Sequence, residues 1–213
     1  MASREFRKPP KPPENHAYVL DVLPYGDPVR GIPYPLVQSI GEERFLLMEL
    51  RPESSIMPSV KIGERVDLAA GVEARIFHFL RMLRYDDLTG NAKAILREVI
   101  TSIVVSREKV FVDFFNKSQP LSKKAHQLEL LKGVGKKTLW KILEERSRKP
   151  FESFTDIEKR VGIKPLELVV NRILEELAEP QAHYIFVNPP YGPTRSGEAL
   201  QRREGRERFR QSF

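Results

Sequence analysis

The chain has 213 residues, 40% of them hydrophobic, and its 36 Lys and Arg against 29 Asp and Glu leave a formal charge of +7 and a sequence pI near 9.6. That length holds one medium domain or two small ones around a core, and the positive excess suits a polyanionic partner. With no cysteine, disulfides, thiol nucleophiles and Cys-ligated zinc are excluded, which fits a reducing cytoplasm.

Residues 1–16 are basic and proline-rich, with Pro9-Pro10-Lys11-Pro12-Pro13 at their centre, and predict a flexible arm. No apolar segment of a signal peptide follows, and no run reaches the roughly 18 apolar residues of a membrane span. A cytoplasmic protein without a membrane partner is expected. Three short apolar runs come next, Tyr18 to Leu23, Pro35 to Ile40 and Phe45 to Leu50, and Gly41-Glu42-Glu43-Arg44 joins the last two at hairpin length. They read as strands, with Lys61 to Leu68 as a turn feeding another. Strands at this spacing predict a small Greek-key barrel, OB-like or SH3-like, over 17–86. Arg30, Lys61 and Arg65 near its turns favour a binding role over an inert scaffold.

Ala74 to Arg84 reads as helical, and from Thr89 the apolar positions Ala92, Ile95, Leu96, Val99, Ile100, Ile103 and Val104 follow helical spacing. Val110 to Phe115 is core, too short to assign to helix or strand. The region 87–121 is expected to be an all-α connector.

Ser122 caps an expected helix carrying Ala125, Leu128 and Leu131, and helical spacing resumes from Thr138 through Leu139, Ile142 and Leu143. Between them lies Leu131-Lys132-Gly133-Val134-Gly135-Lys136-Lys137. Glycines at both ends of the turn permit left-handed backbone, and a helix starting near Lys136 adds free amides and a positive dipole end to the lysine charges. Such a turn suits a phosphate. The stretch resembles the helix-hairpin-helix motif of DNA- and RNA-binding proteins. The resemblance implies that Gly133, Val134, Gly135, Lys136 and Lys137 grip backbone phosphates, with Lys132 in place of a frequent proline, Val134 anchoring the turn and a monovalent cation beside Gly133 to Gly135. Lys132 and Lys141 are expected to add phosphate contacts beside them. No other cofactor and no metal is expected.

A weaker second copy follows. Thr155-Asp156-Ile157-Glu158 reads as a capping box, Val161-Gly162-Ile163 as the turn, and Pro165 as the first residue of another helix. Ile163 stands for the second glycine, so this copy is expected to be mainly structural, with Gly162 and Lys164 as secondary contacts. Trp140, near Leu139 and Leu143, is expected in the core.

The order of parts from Tyr18-Val19-Leu20-Asp21 to Pro150-Phe151-Glu152-Ser153-Phe154 also resembles an archaeal family of uncharacterised proteins proposed to bind RNA. It implies an α+β fold: the N-terminal β-barrel, the all-α connector, a tandem helix-hairpin-helix domain over 122–179, then a basic C-terminal tail over 180–213.

Enzyme readings have less support. A nucleotide phosphate loop needs a glycine where Leu130 stands. Asn188-Pro189-Pro190-Tyr191 resembles an amino-methyltransferase motif, but no cofactor-binding α/β domain precedes it. Asp86-Asp87, and Glu108 with Asp113, lack the spacing of a two-metal nuclease. The expectation is a non-catalytic nucleic-acid binder, RNA favoured over DNA. A metal nuclease or a partner-dependent methyltransferase component is the alternative.

Overall fold

The computed structural model describes residues 11–69 and 77–188 and has two compact units that divide between Val99 and Ile100. The first unit holds β1 (His16–Leu23), β2 (Leu36–Gly41), β3 (Leu47–Pro52), β4 (Arg65–Asp67) and β5 (Phe77–Met82). They form one antiparallel sheet in the order β4-β1-β2-β3-β5. A β1-β2-β3 meander with β4 returning beside β1 is Greek-key order, and β5 extends the other edge. Register shifts between Val19 and Asp21 and between Glu49 and Leu50 help to curl the sheet into a half-barrel. Val19, Val37, Met48 and Leu50 are fully buried in one hydrophobic cluster, with Phe77 among them.

Alternation explains β5. Phe77, Phe79 and Met82 pack on that core, whereas His78 and Arg81 do not, a pattern with a bulge rather than a helical stripe. The helical expectation for this stretch is therefore corrected, and residues 74–76 lie outside the described residues. The flexible-arm expectation fails at its end: Glu14 is 3% exposed, and its carboxylate accepts hydrogen bonds from the amides of Glu43, Arg44 and Leu46. The turn it holds includes Phe45, which adopts a left-handed φ of 55°, so the third strand starts at Leu47 rather than Phe45. Arg30 and Arg65 also serve the fold. Arg30 makes a bidentate pair with buried Glu49, which Arg81 joins at 3.0 Å, and Arg65 pairs with Glu42 at 2.7 Å.

α1 (Gly90–Ser106) is capped as its sequence suggests. Thr89 Oγ1 accepts from the Ala92 amide at 3.0 Å and donates to Asp21 Oδ2 at 2.6 Å, while Gln38 bonds the backbone of Asp87 and Thr89. The helix start is thereby tied to β1 and β2. α1 runs across the division between the two units. α2 (Glu108–Lys117) resolves the Val110 to Phe115 run as helix, burying Phe111, Val112 and Phe115.

The second unit continues with α3 (Lys136–Arg148), α4 (Phe154–Val161) and α5 (Pro165–Ala178). Ser153, two residues before the expected Thr155, caps α4 by accepting from the Asp156 amide at 3.1 Å. Arg160 of α4 donates to the carbonyls of Glu145 and Lys149 at the end of α3, satisfying acceptors that the helix leaves open. The first part of the expected tail is also packed. Arg172 and Glu176 are buried on α5, and the Glu176 carboxylate accepts from the amides of Ile185, Phe186 and Val187. Phe186 meets Phe111 and Phe114 edge-on. Residues 189–213, with most of the Asn188-Pro189-Pro190-Tyr191 motif, lie outside the described residues.

Candidate nucleic-acid interface

The Gly133 to Lys137 stretch is a turn into a helix, as its residues suggest. Gly133 has φ 105°, the left-handed region, and Val134 is 5% exposed, anchoring the turn from below. Gly135 is the N-cap of α3 with extended backbone and no side-chain cap, so only one of the two glycines uses left-handed freedom. Open space surrounds the position of a Gly135 Cβ. The first helical bond runs from Leu139 N–H to Gly135 C=O at 2.8 Å, leaving the first-turn amides without intrahelical acceptors.

The segment before the turn differs from expectation. Instead of a helix capped by Ser122, the chain makes a single 3-10 turn over Gln127–Leu130, capped by His126. Pro120 bridges to His126, and Ser122 N–H bonds to Ala125 C=O, so Ser122 is spent in a tight loop. The Leu128 and Leu131 spacing of three fits a 3-10 turn as well as an α-helix. His126 Nδ1 accepts from the Leu128 amide at 3.1 Å, and Glu129 accepts from the His126 amide at 2.9 Å. The spacing of His126 to Glu129 is the signal that sequence reading missed, because His is an unusual capping residue.

Burial, reinforced by the Arg146 charge, holds His126 below the usual imidazole range. Protonation is therefore harder in the folded chain than in the unfolded one. The cap contributes its stability above about pH 6.5 and loses it as pH falls through the lower folded value. Acidification from neutral through the lowered folded value is expected to raise hydrogen exchange at the Leu128 amide, after correction for intrinsic rates. His126→Asn, a cap that does not titrate, should abolish the rise. A corrected rate flat with pH in the native chain would refute the titrating cap.

The lysines are less available than their crowding suggests. Lys132 pairs with Glu175 at 2.8 Å, and Lys136 with Glu129 at 2.7 Å. Lys141 donates to Val161 C=O at the end of α4, Arg146 caps the end of α2 through Phe115 and Ser118, and Arg148 and Lys149 pair with nearby glutamates. Lys137 is exposed and has no ion pair among the described residues. Exposed pairs are worth about 0–1 kcal/mol, so Lys132 and Lys136 are exchangeable, whereas Lys141 and Arg146 are structural.

The second turn has the same backbone plan. Gly162 closes α4 at φ 83°, Ile163 follows, and Lys164 is the N-cap of α5. Thus Lys164, not Ile163, occupies the place of Gly135. Pro165 at the first helical position removes an amide that Lys136 retains, and Lys164 pairs with Glu167 at 3.1 Å. This turn therefore offers one amide fewer than the first.

Trp140 is a correction. It is 68% exposed. Leu139 and Ile142 fill the buried stripe of α3, and at about 100° per residue Trp140 is turned a quarter of the way round the helix from Leu139.

The carboxylates of the nuclease reading are engaged elsewhere: Asp87 accepts from the Arg84 amide, Glu108 from the Phe154 amide, and Asp113 pairs with Lys117. Among the described residues no group of three or more His, Asp and Glu is placed to hold a metal ion, and no helix is long and apolar enough to cross a membrane.

A curled five-stranded antiparallel sheet in one unit, and in the other a helical array with two glycine-hinged turns, define a mixed α+β protein. The chain belongs to DUF655, a family described as protein of unknown function, whose sequence model matches residues 13–188. It is 43% identical over 186 residues to the uncharacterised protein MJ0038 of Methanocaldococcus jannaschii, covering 85% of this chain and 84% of that protein. The crystal structure of Af1531 from Archaeoglobus fulgidus, also of DUF655, matches with a TM-score of 0.73 and 43% identity, covering 82% of this chain and 100% of that one. Both relatives are archaeal, in keeping with the resemblance.

Proposed function

We infer that this is a non-catalytic nucleic-acid-binding protein that grips backbone phosphates at the Gly133 to Lys137 turn. The observation that carries the reading is the start of α3: Gly135 has no side-chain cap and open space where a Cβ would stand, which leaves first-turn amides uncapped beside Lys136 and Lys137. In this reading the helical unit is a tandem helix-hairpin-helix whose first helix is reduced to a 3-10 turn, and the sheet is an OB-like or SH3-like barrel. Gly162 and Lys164 act mainly in packing, for the reasons of backbone and pairing given above. Amides and lysines do not sense a 2′-hydroxyl. RNA is preferred to DNA here on the family resemblance alone.

Replacing Lys136 and Lys137 by Glu should weaken binding of single-stranded RNA and flatten its salt dependence. The log-log slope falls by about 0.7 for every phosphate of a single strand that is no longer neutralised. Lys117→Glu, remote in sequence and already paired with Asp113, is the control and should change the slope less. Unaltered affinity and slope in a folded double variant would rule out the turn as the site.

A further inference from the structure

Trp140 is the single tryptophan of the chain, and it stands 68% exposed on α3. An exposed indole leaves a large apolar ring in water, and nothing in the helix requires one there. The buried face is already filled by Leu139 and Ile142, and alanine is the better helix former. Among the described residues the ring has no hydrogen bond, ring contact or cation over it.

Helical side chains lean toward the N-terminus of their helix, so the indole covers the turn before its own Cα. That turn contains Lys136 and Lys137, at four and three residues before it, on the same surface as the ring. Lys136 is drawn toward Glu129 and the Lys124 carbonyl, and Lys141 toward the Val161 carbonyl. Neither ammonium is therefore committed to the ring. An open π-face beside lysines that hold phosphates is complementary to a nucleotide, which presents a flat base and an anion within one residue.

We propose that Trp140 is a stacking platform for an unpaired base of a single-stranded nucleic acid whose backbone passes the Gly133 to Lys137 turn. The proposal rests on the phosphate-binding reading of that turn and adds what the turn cannot supply, a preference for unpaired strands. A base inside a duplex is stacked on its neighbours and does not offer a face to the indole.

Since no other tryptophan contributes, the indole emission of the full chain, excited selectively over its six tyrosines, reports on this ring alone. The probes are an oligoadenylate and an oligouridylate of about 12 nucleotides, within the range of single-strand sites, a duplex of equal length, and polyglutamate as a polyanion without bases. Single strands should quench and shift the emission, with duplex and polyglutamate doing so far less. Trp140→Ala, followed by anisotropy of labelled RNA, should lose roughly 5- to 140-fold in affinity. The salt slope should be unchanged, because every phosphate keeps its cation, and Trp140→Phe should recover part of the loss. Equal quenching by duplex or polyglutamate would overturn the proposal. So would a Trp140→Ala variant of undiminished affinity whose slope still responds to Lys136 and Lys137 replacement, and that outcome would leave the phosphate site standing. If no oligonucleotide binds the native chain, both readings fall.

Discussion

Glu176→Ala is expected to destabilise the helical unit by about 3–5 kcal/mol, the usual cost of removing one partner from a buried ion pair. Glu176 is 3% exposed, and its carboxylate meets Arg172 Nε at 2.8 Å and the amides of Ile185, Phe186 and Val187 at 2.7, 3.0 and 2.8 Å. Alanine leaves the buried guanidinium with Glu175, at 4.0 Å, as its remaining carboxylate partner and three amides without an acceptor. Arg172 also donates to Gln181 and to the His183 carbonyl, so both members of the pair hold the 181–187 segment. Hydrogen exchange at Ile185, Phe186 and Val187 should rise first, and the unfolding midpoint of the helical unit should fall. Glu176→Gln, which keeps an acceptor and loses the charge, should lie between. An alanine variant within about 1 kcal/mol of the native chain, the range of an exposed pair, would show that the buried pair carries no such load.

Glu14 should give the second-largest loss, about 2–3 kcal/mol on replacement by alanine, from the amides of Glu43, Arg44 and Leu46 left without their acceptor. Those last two amides flank Phe45, whose φ of 55° is costly for a bulky residue. The carboxylate thus holds a strained residue in place. Unlike Glu176, it has no cation within ion-pair distance among the described residues. Burial raises its pKa, and the three amide bonds only partly offset that rise. The folded chain then binds more protons than the unfolded chain between the ordinary carboxylate value and the raised one. Stability from this group is full below about pH 4.3 and declines as pH rises through the folded value. Measured by denaturant unfolding, the advantage of the native chain over Glu14→Gln should shrink as pH is raised from about 4.3 toward neutrality. A difference that grows over that interval would mean that the amides, not burial, set the pKa.

Periodicity made much of the fold legible. β1, β2, α1, α3 and α5 lie close to where apolar spacing and Pro or Thr signals put them. Misreadings arose where two periods share a spacing. Ala125, Leu128 and Leu131 at intervals of three suit a 3-10 turn, and β5 carries a bulge that disguises its alternation. Glu14, Glu49, Arg172 and Glu176 were illegible because charged residues in isolation read as surface, and their burial depends on partners from 4 to 32 positions away. At the turn, Gly133, Val134, Gly135 and the start of α3 could be located from residue types. Which lysines were already committed could not, since Lys141 reaches Val161 and Lys132 reaches Glu175 only after α3, α4 and α5 have packed.

On the phosphate-binding reading proposed above, the pairs Lys132 with Glu175 and Lys136 with Glu129 bear on what the turn would take. A polyanion that takes those lysines must displace two carboxylates, so part of each new attraction is cancelled by the one it replaces. Inorganic phosphate or a lone nucleotide, with one anionic group to offer, gains little from such an exchange. A strand that reaches several positions at once recovers the loss over its length. The glutamates beside the turn would therefore set a minimum size for what binds there, discriminating polymer from monomer before any base is contacted.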